Sequence, residues 1–283
     1  KDPQRDLPKG MIYTLVICTV VYIALALVLT GMVSYKLLGV TDPLAEIFAL
    51  KGVKWMLFIV SISAVVAMTS VLLVFQMGQP RIWMAMSRDG LLPKKFQEVH
   101  SKNKVPSFAT IVTGIVVGIP ILFTDKSFIL DFTSIGTIFA FVLVCGGVLM
   151  LPPKEKIKGR FHLPYINGKF LFPLIFIGGL VFFYFYQPEF FHNLTNINDP
   201  NEGEFRLAII IFIIANVVLC GLAIVKNLSL IPLIGLSSCL YLLTGMSHEN
   251  WFWFGLWFAV GLVIYFLYGY KNSRLNQTIN GNQ

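Results

Sequence analysis

The sequence predicts an all-α fold, a polytopic bundle of helices threaded through a membrane, and three observations carry that prediction. Eight stretches are nearly free of charge and about as long as a bilayer is thick: 11–32, 55–77, 108–123, 132–151, 170–186, 207–225, 228–245 and 251–270. A helix rises about 1.5 Å per residue, so roughly 20 apolar residues cross a hydrocarbon core of about 30 Å. Composition is the second observation. With 56% hydrophobic and 13% charged residues and a mean hydropathy of +0.76, too little polar surface exists to cover a soluble globule, and lipid is the natural solvent. The third is charge asymmetry. Of the 22 lysines and arginines, 17 fall in the opening segment, alternate connections and the tail, which the retention of basic residues on the inner side of a membrane explains. Both ends of the chain are then cytoplasmic, in a cell membrane. The net charge of +8 reads as this topological bias and not as a nucleic-acid footprint, because no basic run is interleaved with stacking aromatics.

Taken in order, the first span is announced by Pro8, whose missing N–H costs little at a helix start. The second is rich in small and hydroxylic residues, Ser61, Ser63, Ala64, Ala67, Thr69 and Ser70, with Met68 among them. Such residues permit close helix packing, and the wall of a polar cavity has the same composition. An interfacial helix is predicted next, at about 79–90. Pro80 suits its first turn, Ile82, Trp83 and Met86 can face acyl chains, and Arg81 and Arg88 can reach headgroups. Asp89 and Gly90 then signal a stop and Pro93 prevents resumption. The third span carries Gly114 and Gly118 at contact spacing. Asp131 lies at the outer edge of the fourth, followed by Thr133, Ser134, Gly136 and Thr137, whose hydroxyls can bond within the helix or to a neighbour. After the fifth span comes a polar exterior loop, 187–206, with an Asn193-Leu-Thr195 sequon. Trp251, Trp253, Trp257, Tyr265, Tyr268 and Tyr270 gather near the ends of the last span, where amphipathic rings settle at the interface.

Several chemistries are excluded. Cys18, Cys145, Cys220 and Cys239 are scattered through spans without a CxxC, and His100, His162, His192 and His248 stand singly. Neither pattern supports a metal, a cofactor or a catalytic dyad. No Asp, Glu, Lys or Arg lies deep in any of the eight spans, which argues against a charge relay within this chain. The chain opens on a charged segment at Lys1, which reads as the middle of something larger.

Certain runs, weak singly and strong in their order, resemble a known family. They are Pro3-Gln-Arg-Asp-Leu-Pro-Lys-Gly10, Gly78-Gln-Pro-Arg81 continuing to Arg88-Asp-Gly-Leu-Leu-Pro93, Ser134-Ile-Gly-Thr137 and the closing Gly261-Leu-Val-Ile-Tyr-Phe-Leu-Tyr-Gly269. Together they are similar to amino acid permeases of the amino acid, polyamine and organocation superfamily, in the cationic amino acid transporter branch. The resemblance implies that these are spans seven to fourteen of fourteen, the first six being absent. It implies a fold of five-plus-five inverted repeats with four extra C-terminal helices, and a substrate held at the midplane by unwound helices outside this sequence. What it leaves on this chain is pathway wall: Ser61, Ser63, Met68 and Thr69 in one span, and Ser134 and Thr137 in another. The implied partners are the bilayer, an amino acid substrate, cationic or neutral, a coupled proton and the missing six spans. Where the branch has a basic exit this chain has Leu151-Pro-Pro-Lys154, and its 187–206 loop is long. Secondary transport by alternating access is thus the expectation, with no covalent step. The rival reading is a non-transporting membrane subunit or scaffold, a truncated permease packed against a partner.

Overall fold

A computed structural model describes residues 2–34, 36, 40, 42–102, 104–151, 165–186 and 203–274. The sequon, His162, His192 and the Pro152-Pro-Lys154 exit lie outside those residues. The helices are α1 (Pro3–Met32), α2 (Pro43–Leu50), α3 (Lys54–Arg88), α4 (Ser107–Phe123), α5 (Lys126–Met150), α6 (Gly168–Tyr186), α7 (Gly203–Lys226), α8 (Leu230–Thr244) and α9 (His248–Ile264). The last continues through a π-helical turn, Tyr265–Gly269, into Tyr270–Asn272. Among the described residues no β-strand forms, and the architecture is an all-α, polytopic membrane bundle. Six helical runs are long and apolar enough to cross a bilayer: α1, α3, α5, α6, Leu207–Lys226 of α7 and His248–Asn272. Two further apolar helices are shorter, α4 with 17 residues and α8 with 15. They measure about 26 and 23 Å at 1.5 Å per residue.

The chain forms two compact units. Of the described residues, the first holds α1 to α3, α4 as far as Val117, and the segment from Asn272; the second holds the rest of α4, α5 and everything from α6 to Lys271.

In the first unit the structure departs from expectation at two helix ends. Helix α1 begins at Pro3, not beside Pro8. The opening N–H groups of a helix have no intrahelical partner, so Pro3 is free there, and Pro8 forfeits a single bond in a 30-residue helix. Asp6 helps close this end, its carboxylate accepting the Asp2 N–H at 3.3 Å. The separate interfacial helix expected at 79–90 is instead the last third of α3, which runs unbroken through Pro80. A change of polarity marks where a helix leaves lipid and not where it must end. Pro80 removes the donor that would meet the Gln76 carbonyl, but it is buried, and the Gln76 side chain donates to the Thr110 carbonyl of α4 at 3.4 Å.

The stop after α3 is as the sequence predicts. Gly90, with φ +83°, follows the Asp89 cap. Leu91 N–H donates to the Met86 carbonyl at 2.9 Å and Gly90 N–H to Ser87 at 3.1 Å, the paired bonds of a Schellman end. The Ser87 hydroxyl donates to the Pro93 carbonyl at 2.8 Å, folding the loop back. Trp83, Phe96 and Phe108 then stack edge to face at 5.3 and 5.0 Å, joining the end of α3 to the start of α4. Helix α2 was not anticipated. Asp42 caps it, accepting the Ala45 N–H at 3.4 Å, with Pro43 in its first turn.

The second unit holds the best-packed cores. Phe172 of α6, Ala223 of α7 and Leu230 and Leu233 of α8 form one cluster, with Leu149 and Leu219 against it. Ile135 of α5, Leu243 of α8 and Phe254 of α9 form the other, flanked by Phe139 and Val142. A short antiparallel bridge pins α6 to the α7–α8 turn: Gly168 N–H donates to Leu228 and Leu230 N–H to Ile166, both at 2.9 Å. Gly168 is required by that approach, since a Cβ there would lie 2.9 Å from the Leu228 carbonyl oxygen.

Candidate functional site

The six residues singled out in the sequence fall on two helices in different units, Ser61, Ser63, Met68 and Thr69 on α3 and Ser134 and Thr137 on α5. All six are exposed. On α3, successive residues turn by about 100°. Ser61 and Met68, seven apart, therefore share a face, with Thr69 beside them. Ser63, about 200° from Ser61 by the same geometry, lies on the opposite side. A single cavity wall on a regular α3 takes Ser61, Met68 and Thr69 and leaves Ser63 out. The Thr69 hydroxyl donates to the Val65 carbonyl at 2.8 Å, keeping its donor satisfied inside the helix while its oxygen can still accept.

Helix α5 is clearer, because its two faces differ. One is packed: Ile135 is fully buried, Phe139 and Val142 join its cluster, and Leu149 joins the other. The opposite face carries Leu130, Thr133, Ser134, Thr137, Phe141, Val144 and Val148, all exposed. Its hydroxyls each donate to the carbonyl four residues back: Thr133 to Ile129, Ser134 to Leu130 and Thr137 to Thr133, all at 2.8 Å. The three fall within two turns, a polar band on an otherwise greasy surface, able to accept hydrogen bonds from an ammonium or amide.

Two features escaped the sequence reading. The first is a cavity of about 490 Å³ among α6, α7 and α8, lined mainly by Phe and Ile with Ser237, Ser238, Tyr241 and Thr244. No sequence periodicity announces a gap between three helices. The second is the position of Asp131. Because α5 starts at Lys126, Asp131 lies in the second turn of the helix. Its Oδ2 accepts from Asn250 Nδ2 of α9 at 3.3 Å. Among the described residues no cluster of three His, Cys, Asp or Glu is placed to hold a metal.

A family model described as "Amino acid permease" matches residues 1–215, more than half of the chain. This chain belongs to the amino acid permease family. A second model, "C-terminus of AA_permease", matches residues 228–273. The chain is 31% identical over 280 residues to the "Methylthioribose transporter" of Bacillus subtilis (strain 168), covering 98% of this chain and 47% of that relative. It is 29% identical to the "Branched-chain amino acid permease BcaP" of the same organism, over 98% of this chain and 47% of the relative. It is also 36% identical over 159 residues to "Cationic amino acid transporter 2, vacuolar" of Arabidopsis thaliana, covering 55% of this chain and 25% of that protein. The chain thus spans about half the length of the curated relatives that match it end to end, and these permease relatives are named as transporters, not enzymes.

Proposed function

We infer that this permease chain is the C-terminal part of a secondary active amino acid transporter that works by alternating access, coupled to a proton, in the cell membrane. Eight crossings, with α4 and α8 as short spans across a locally thinned bilayer, would put both ends of the chain on the cytoplasmic side. The observation that carries the reading is the division of α5 into a packed face and an open face bearing Thr133, Ser134 and Thr137. Clustered on one face that no helix of this chain covers, they suit the wall of a polar pathway, and Ser61, Met68 and Thr69 of α3 are proposed as pathway wall within their own unit. Ser63 joins them only if α3 departs from regular helix in another conformation.

Uptake of labelled amino acids into proteoliposomes tests this. The full-length transporter carrying this chain should accumulate substrate, and residues 1–283 alone should not, because the grip on the substrate lies on helices outside them. Met68→Trp, Thr69→Trp or Thr137→Trp in the full-length protein should block uptake while leaving the melting transition intact. Normal uptake by all three would remove both walls from the pathway. The relative named as a methylthioribose transporter supports a second reading of the cargo, a small neutral polar solute. Competition of uptake by methylthioribose would favour it.

A further inference from the structure

The one carboxylate inside α5 has a geometry that the packing of the bundle does not require. Asp131 lies one helical turn before Ser134. It is exposed, in angular register with Leu149 on the packed side of α5 and about 60° round the helix from Ser134. Asn250, in the first turn of α9 and only 4% exposed, donates to its Oδ2 at 3.3 Å. Aromatic rings brace the same junction: Phe128 stacks on Phe132 at 5.8 Å and meets Trp253 edge-on at 6.2 Å. One carboxylate oxygen is thereby held by α9, and the exposed position leaves the group open beside the hydroxyl band. Among the described residues it forms no ion pair. Asp125 and Lys126 at the start of α5, and His248 and Glu249 at the start of α9, are the charged or titratable groups at the same ends of these helices.

If its task were only to accept from Asn250, a neutral amide or hydroxyl would serve. A carboxylate brings a formal negative charge that a hydrogen bond from Asn250 does not need, and ionisable residues in membrane-crossing helices mark binding or ion pathways by default. We propose that Asp131 is a cation contact at the outer end of the pathway, receiving the ammonium group of an entering amino acid and handing it to the Ser134 and Thr137 hydroxyls, with Asn250 as the positioning residue that holds the carboxylate. This rests on the transport reading above and adds a specific contact to it.

The test uses the full-length transporter in proteoliposomes, with the best-transported amino acid of a panel as probe. Asp131→Asn keeps an acceptor for Asn250 but removes the charge. Its KM should rise about tenfold at an unchanged maximal rate and melting temperature, while Asp131→Glu stays within about threefold of wild type. The wild-type KM should also rise with ionic strength and that of Asp131→Asn should not, as a charge contact screened by salt requires. A wild-type KM in Asp131→Asn overturns the proposal. So does a loss of its melting transition, which would make the pair a structural clamp. A normal KM with loss of proton-driven accumulation also overturns it, assigning Asp131 to the proton. If the wild-type protein itself transports no amino acid, the parent reading falls and this one with it, a result recognised because no variant is involved.

Discussion

Replacing Gly90 by alanine separates two demands that the end of α3 makes on one residue. Its φ of +83° costs an L-residue about 1–2 kcal/mol. A Cβ there would also sit 2.1 Å from the Asn272 carbonyl oxygen and 2.9 Å from its carbon, an overlap with backbone that no side-chain rotation relieves. The segment 272–274 must then lift off, losing the Arg274 N–H to Asp89 carbonyl bond of 3.1 Å. One net hydrogen bond is about 1 kcal/mol, or roughly fivefold in the opening equilibrium. Gly52 supplies the control, since it has φ +72° and nothing within 4 Å of its Cβ position. The assay is trypsin release of a C-terminal epitope after Lys271 or Arg274, in the full-length protein in nanodiscs, where cleavage follows the open population. Gly90→Ala should release it about fivefold faster or more, and Gly52→Ala at the wild-type rate. Equal rates for the two variants would refute the idea that the tail seats on Gly90, leaving backbone strain as the whole effect.

Gly168→Ala should lower stability by about 1–3 kcal/mol, because its Cβ meets backbone on the α7–α8 turn. Gly178→Ala in the same helix, with open space around it, should melt no lower than wild type. Leu233→Ala, emptying a fully buried site in the core of the second unit, should cost about 2–5 kcal/mol in thermal unfolding. Gly235→Ala would press on the Cys145 sulfur at 3.2 Å. Adding Cys145→Ala should recover part of that loss, a coupling that a double-mutant cycle of melting temperatures reads directly. Ser63→Trp should leave uptake closer to wild type than Met68→Trp, in keeping with their opposite faces on α3.

Much of the candidate site was legible as composition and little of it as geometry. Ser134 and Thr137 could be named because, with Thr133, they cluster at the head of an otherwise apolar run. That they share an open face depends on which side α8 and α9 take, and α5 alone does not decide it. Ser63 shows the converse: it resembles Ser61 in kind, and only the phase of a regular helix sets them apart. The junction at Pro80 was misread because a polarity change was taken for a chain break, whereas the hydrogen-bond ladder of α3 carries through it.

By itself the sequence determined the solvent and the secondary structure. Long apolar runs must form helices in lipid, since every backbone group needs a partner where water is absent, and that holds for each run without reference to its neighbours. The Gly90 stop belongs to the same class, because a positive φ is a local property. Only the tertiary structure decided the rest: which face of α5 is covered, that Asp131 lies within a helix against Asn250, that Gly90 also seats Asn272, and that α6, α7 and α8 leave a cavity between them. Those facts depend on contacts between residues far apart in the chain. In a span apolar on all sides no periodicity distinguishes the packed face from the free one.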